Sequence, residues 1–144
     1  MTARAVVERN RTAGDREAIV HKIDELGKVI GAHDYDRAYG MFSDRFRNRI
    51  KRSAFDAAWD QWQGNPSLGH ITAMKWNQTN IIFQDEPGSG TRVASAYAWL
   101  DFEKGSEKAR QPLVFRKVSD QWVIDDAPMV FPPERRTRTR GQAQ

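Results

Sequence analysis

Side chains able to carry acid–base chemistry gather in one stretch, Asp34 to Trp62, which holds aspartate, tyrosine, arginine and tryptophan residues. We consider two catalytic bases: Tyr39 within this stretch, and Asp101 beyond it with His70 as its partner. Desolvation in a pocket raises the pKa of a carboxylate, which can then take a proton from a substrate. Carboxylates and histidines on strands are more often solvated surface groups. The residue types leave acid–base chemistry open without indicating a reaction.

Thiol and metal chemistry have little support in the sequence. The chain contains no cysteine, which excludes disulfides, thiolate catalysis and cysteine-based zinc or iron–sulfur sites. Its three histidines, His21, His33 and His70, share no recognised ligand spacing. His21 and Glu25 have the spacing of an ordinary surface pair on a helix. We therefore predict neither a metal ion nor a cofactor.

The positive charge of the chain belongs to its two ends. Residues 1–14 carry a net charge of +2 and residues 132–144 carry +3, which leaves −1 for residues 15–131 out of +4 in total. Clustered arginines can contact phosphates, but no aromatic residue alternates with them here to stack on bases. We expect no nucleic-acid partner beyond a weak contact of the four tail arginines, Arg135, Arg136, Arg138 and Arg140.

The length of 144 residues predicts a single domain. We assign residues 15–127 to this domain, residues 1–14 to a flexible basic N-terminus, and residues 128–144 to a disordered tail rich in proline and arginine. No run approaches the ~20 apolar residues of a membrane span, and the N-terminal residues lack the apolar core of a signal peptide. We expect a soluble protein, cytoplasmic as the sequence stands and extracytoplasmic if a leader or anchor precedes it.

Apolar spacing predicts three helices in the first half of the chain, over residues 15–31, 34–46 and 53–64. Asp15, Asp34 and Ser53 are the capping residues that we expect at their N-termini. The buried faces consist of apolar residues three or four positions apart: Ile19, Ile23, Leu26 and Ile30, then Ala38, Phe42 and Phe46, then Phe55, Ala58, Trp59 and Trp62.

Runs of β-branched and aromatic residues between short turns predict four antiparallel strands in the second half of the chain, over residues 70–84, 91–103, 110–118 and 121–126. The first is long enough to bend, and its polar run at residues 77–80 is a candidate bulge. In the second strand the side chains alternate between two faces. Ala94, Ala96, Ala98, Leu100 and Phe102 take one face, and Val93, Ser95, Tyr97 and Trp99 take the other.

Three helices followed by an antiparallel meander predict an α+β layout. Residue types at particular positions narrow this layout to one family of folds. They are Asp34, Tyr35, Ala38, Tyr39, Phe42 and Phe46 in the second helix, Phe55 in the third, and Trp122, Val123, Ile124 and Asp125 in the last strand. On these residues the chain resembles the nuclear-transport-factor-2-like superfamily, which includes ketosteroid isomerase and polyketide-cyclase-like proteins. The resemblance spans about residues 15–127. It implies an α+β, cystatin-like cone, in which three N-terminal helices pack on a strongly curved antiparallel four-stranded sheet around a pocket.

The resemblance also bears on function. The segments AYGMFSDRF and SAFDAAW look most like accessory members of the superfamily, such as bacterial lipoprotein domains and N-terminal domains of penicillin-binding proteins, which are generally not enzymes. Where ketosteroid isomerases have their catalytic aspartate, this chain has Ile50, which cannot move a proton. We predict a non-catalytic binding domain. The alternative is a small cyclase, isomerase or dehydratase that acts on a hydrophobic substrate in the pocket.

Two sets of residues are the candidate sites. The fold that the resemblance implies gives the concave side a pocket for a small hydrophobic ligand, lined by Tyr39, Phe42, Trp59, Asp101 and Phe115. The other side of the sheet would expose an apolar patch of the kind that marks an interface, with Trp76, Tyr97 and Trp99. We expect this patch to pair with a second copy of the chain or with another protein.

Overall fold

The computed structural model describes residues 3–76, 81–128 and 130–131, without the side chains of residues 3–11, 76 and 106–111. Within this part, four helices precede five strands. The fold is α+β, as predicted, and its antiparallel sheet curls strongly into a half-barrel. The predicted bulge at residues 77–80 and the tail at residues 132–144 lie outside the described residues.

The first helix, α1, is longer than the sequence predicts and spans Ala3–Gly31. The prediction that it begins at Asp15 is wrong, because the helix continues through Gly14 and Asp15 lies in its interior. A glycine inside a helix costs only about 1 kcal/mol relative to alanine, so Gly14 does not end it. Asp15 is buried at 5% exposure instead of capping a terminus.

The second predicted helix is divided into α2, Tyr35–Gly40, and α3, Asp44–Arg49. The Asp34 side chain caps α2 as predicted, and the Ser43 hydroxyl caps α3 by accepting a bond from Phe46 N at 3.1 Å. Residues 41–43 leave the helix because they pair with the sheet edge. Ser43 N donates to Ile124 O at 2.8 Å, and Ile124 N donates to Met41 O at 3.0 Å.

The fourth helix, α4, spans Arg52–Gln63. The prediction that Ser53 caps it is wrong, because Lys51 is the residue at the N-cap and makes no side-chain capping bond. Arg52 bridges instead to Asp56 one turn later, at 2.7 Å, and to Asp36 of α2.

The strands are β1, Ile71–Trp76; β2, Ile82–Asp85; β3, Arg92–Phe102; β4, Gly105–Val118; and β5, Gln121–Asp126. Their order is β1–β3–β4–β5, and β2 also pairs with β3. β1 pairs with the second half of β3 and β2 with the first half. The described residues therefore contain five strands where we predicted four, since the predicted bent strand forms two strands along one edge of β3.

The two faces of β3 differ as its alternation predicts. Ala94, Ala96, Ala98, Leu100 and Phe102 are at most 5% exposed and belong to the same core cluster as the buried residues of the helices. We call this side the inner face. The side of the sheet that carries Val93, Ser95, Tyr97, Trp99 and Asp101 is partly exposed, and we call it the outer face.

Glycines allow α1 to approach β1 closely. A Cβ atom at Gly27 would lie 2.5 Å from Met74 N, and one at Gly31 would collide with the carbonyl oxygen of Ile71. Helix and strand therefore make backbone contact at these two positions, one turn apart. None of the described helices is long and apolar enough to cross a membrane.

Candidate interaction surface and groove

The interior beneath α3 and α4 is filled by an aromatic cluster: Phe42, Phe46, Phe55, Trp59 and Phe131. Phe131 stacks on Phe55 with ring centroids 5.4 Å apart, and it contacts Trp59 edge-on at 5.9 Å. Phe131 is 5% exposed and follows the last strand. The sequence predicts a disordered tail from residue 128, whereas Val130 and Phe131 are buried in the structure and pack against the core.

Three of the predicted pocket residues are core residues. Phe42, Trp59 and Phe115 are at most 1% exposed. The indole Nε1 of Trp59 is buried and has no hydrogen-bond partner among the described residues. These three side chains therefore belong to the packed core of the described residues.

Tyr39, the fourth predicted pocket residue, fastens the connection between α3 and α4. Its hydroxyl group donates to the backbone carbonyl of Ile50 at 2.7 Å and is 3.1 Å from that of Arg47, while its ring meets Phe55 edge-on at 5.0 Å. These contacts of the phenol with main-chain carbonyls hold the α3–α4 connection in place.

Asp101, the fifth predicted pocket residue, lies on the outer face, away from the other four. It alternates with Leu100 and Phe102, which are buried on the inner face, and its carboxylate is 3.6 Å from the ammonium group of Lys75. The two candidate bases, Tyr39 and Asp101, are therefore not brought together in one pocket.

The outer face exposes apolar side chains around Tyr97, which is 37% exposed. Tyr97 is directly opposite Pro112 of β4, and Trp99 is opposite Lys75 of β1. Ile82 of β2 is 57% exposed. The patch formed by these and neighbouring strand residues is partly exposed throughout: Ile82, Val93, Tyr97, Trp99, Pro112 and Val114.

Trp76, the third predicted interface residue, is known here only by its backbone, which pairs with that of Ala98. Its side chain lies outside the described residues. Of the three predicted interface residues, the structure therefore describes the side chains of Tyr97 and Trp99.

An ion pair that the sequence analysis missed borders this patch. Arg116 lies between Val93 and Val123 on the outer face and donates from both terminal nitrogens to Glu86, at 2.8 and 3.0 Å. Hydrogen bonds from Arg116 and then from Ser89 lower the pKa of Glu86 to about 2. Glu86 and Arg116 are 30 positions apart, so no local pattern relates them.

A second ion pair that the sequence analysis missed lies at the connection between α2 and α3, residues 41–43 with the first turn of α3, which we call the α2–α3 corner. The Ser43 hydroxyl donates to the buried carboxylate of Asp125 at 2.7 Å while accepting the capping bond of α3. Arg45 binds the same carboxylate with Nε at 3.0 Å and Nη2 at 2.7 Å. In the sequence, Asp125 is only one of the positions that carry the family resemblance. Its partners Arg45 and Ser43 are 80 and 82 residues away, so no local pattern predicts these bonds.

An open groove of about 200 Å³ separates this corner from the β4–β5 hairpin. Its apolar residues are Phe42, Val118 and Val123, and its charged residues are Arg45, Arg47, Arg116 and Asp44. Glu86 and Asp125, the carboxylates bound by Arg116 and Arg45, are not among the lining residues.

No protein-family model matches this chain, and no curated protein matches it.

Proposed function

We propose that this is a nuclear-transport-factor-2-like domain that acts by binding rather than by catalysis, and that it forms a homodimer through the outer face of its sheet. The observation that carries the proposal is the exposed position of Tyr97 within an apolar sheet face. An exposed, contiguous apolar patch on a folded domain commonly marks a protein-interaction surface, and tyrosine and tryptophan are frequent anchors there.

The buried polar groups support a non-catalytic role. Within the described residues these are Asp15, Ser43, Gln63 and Asp125. Each has a structural partner. Gln63, for example, donates to Ile30 O at 3.0 Å and accepts from Ile71 N at 2.9 Å. A catalytic acid or base needs a reacting group within reach, whereas these side chains bind other parts of the chain.

The charges beside the patch suit a second copy of the same chain. Lys75 pairs with Asp101 at one end of the outer face, and Arg116 pairs with Glu86 at the other. Because Lys75 and Arg116 each have a carboxylate partner, these described charges of two identical faces can meet without net repulsion. A two-fold dimer requires this kind of self-complementarity.

Molar mass measured by light scattering over a concentration series tests the proposal. We expect a dimer in the wild type, and the Tyr97→Arg variant should weaken the dimer by at least about 10-fold because it places a charge at the centre of the patch. Gln61→Arg adds the same charge at an exposed position of α4 and should leave the dimer unchanged. A wild type that is monomeric at about 100 μM, or equal weakening by both variants, contradicts the proposal.

A further inference from the structure

We propose that the groove between the α2–α3 corner and the β4–β5 hairpin binds a small organic carboxylate with an apolar body. The volume of about 200 Å³ exceeds the ~150 Å³ of a cavity that accepts benzene. The groove therefore has room for an aromatic or branched aliphatic acid. It is open in the structure, so binding needs no rearrangement of the fold.

The lining of the groove combines apolar surface with guanidinium groups. Val118 is 47% exposed and offers apolar contact together with Val123. Three arginines surround these residues, and Asp44 is the one carboxylate among the described residues of the lining. A guanidinium group presents a planar set of N–H donors that matches the two oxygens of a carboxylate.

Two of these arginines are held in place and still have donors to offer. Arg45 uses Nε and Nη2 on Asp125, and Arg116 uses Nη1 and Nη2 on Glu86. Among the described residues, Arg45 Nη1 and Arg116 Nε have no hydrogen-bond partner. A guanidinium group has five N–H donors, so both can bind a further acceptor. Because their ion pairs already fix them, little side-chain entropy is lost when a ligand binds.

Arg47, the third arginine of the groove, is held, among the described residues, only by a surface ion pair. Its partner Asp44 is three residues away on the same short helix and 90% exposed, and such surface pairs contribute little. Arg47 can therefore turn from Asp44 to a ligand at small cost. The Tyr39 hydroxyl contacts the backbone carbonyl of Arg47, so replacing the side chain leaves that contact intact.

Calorimetric titration of the full-length protein with 1-naphthoate, and with neutral 1-naphthamide of the same shape, tests the proposal. We expect naphthoate to bind with a dissociation constant of about 1 mM or lower. Naphthamide should bind at least about 5-fold more weakly, because it lacks the charge-assisted hydrogen bonds. Equal binding of the two probes, or no binding of naphthoate at about 10 mM, overturns the proposal.

Variants locate the site. Arg47→Gln should weaken naphthoate by about 3-fold or more and leave naphthamide unchanged. Arg49→Gln is the matched control: Arg49 is on the same helix, pairs with Asp126 and does not line the groove. An equal effect of both variants would indicate general attraction to positive charge and would overturn the assignment. Naphthoate should bind Tyr97→Arg as it binds the wild type, since a loss there would place the probe between two copies instead of in the groove.

Discussion

The carboxylate of Asp15 in α1 accepts a hydrogen bond of 3.0 Å from the indole Nε1 of Trp122 in β5, 107 positions later in the chain. Arg92 and Lys117 bind the same carboxylate at 2.7 and 3.1 Å. One buried anion thus joins the first helix to three strands, β3, β4 and β5. Burial alone would raise the pKa of Asp15, but the hydrogen bonds from Trp122, Arg92 and Lys117 outweigh burial and lower it.

Replacing Asp15 by asparagine should lower the free energy of unfolding by about 2–4 kcal/mol, because the partly buried Arg92 and Lys117 would then lack their counter-charge. Urea denaturation followed by circular dichroism measures this change. Glu17→Gln is the control, since Glu17 is exposed on the same helix. Equal stability of Asp15→Asn and the wild type would mean that the carboxylate is not an anchor.

The same carboxylate should make stability depend on pH. The folded-state pKa of Asp15 is lowered, so its contribution is fully present above the ordinary aspartate pKa of about 3.9 and is lost as the pH falls through the folded value. We expect the free energy of unfolding to fall as the pH is lowered below about 5. The fall should be smaller in Asp15→Asn, and identical profiles of the two proteins would contradict the assignment.

Two glycines of α1 should respond to alanine in opposite ways. Gly27→Ala places a methyl group 2.5 Å from Met74 N and should destabilise the fold by about 1–3 kcal/mol. Gly14→Ala meets nothing within 4 Å and should stabilise the helix by about 0.5–1 kcal/mol. Thermal unfolding of the two variants compares them directly, and a Gly27→Ala variant as stable as Gly14→Ala would show that α1 does not approach β1 as described.

The boundary of the folded domain can be tested by truncation. A chain that ends at Phe131 should keep the stability of the full chain, whereas one that ends at Asp126 loses the ring contacts of Phe131 and should be destabilised by at least about 3 kcal/mol. Phe131→Ala should lose a similar amount, about 3–5 kcal/mol, by leaving a cavity among Phe55 and Trp59. Equal denaturation midpoints for the two truncated chains would mean that the folded domain ends near residue 127, as the sequence predicts.

Much of the architecture could be predicted because it follows from local patterns. Period-2 alternation in β3 gives the inner and outer faces correctly, and it places Tyr97 on the outer face without any knowledge of distant contacts. The cap at Asp34 follows from its residue type at the start of a helix, and the apolar positions of the helices follow from the helical period. Each depends on residues within a few positions of one another.

The candidate sites depend on contacts that such patterns do not contain. Asp101 was placed in a pocket by its residue type, and the alternation of β3 puts it on the outer face with Lys75. The groove could not be found from the sequence, since it joins residues of the α2–α3 corner to residues of β4 and β5.

The sequence by itself determined the α+β class, the amphipathic faces and the absence of thiol chemistry. The tertiary structure alone decided that residues 41–43 leave the helix to pair with β5, that Asp15 is buried between Arg92 and Trp122, and that Phe131 completes the core. The physical reason is the range of the interactions. Helical and strand periodicity are set by neighbouring residues, whereas sheet-edge pairing, buried ion pairs and ring packing become favourable only when distant segments have already been brought together.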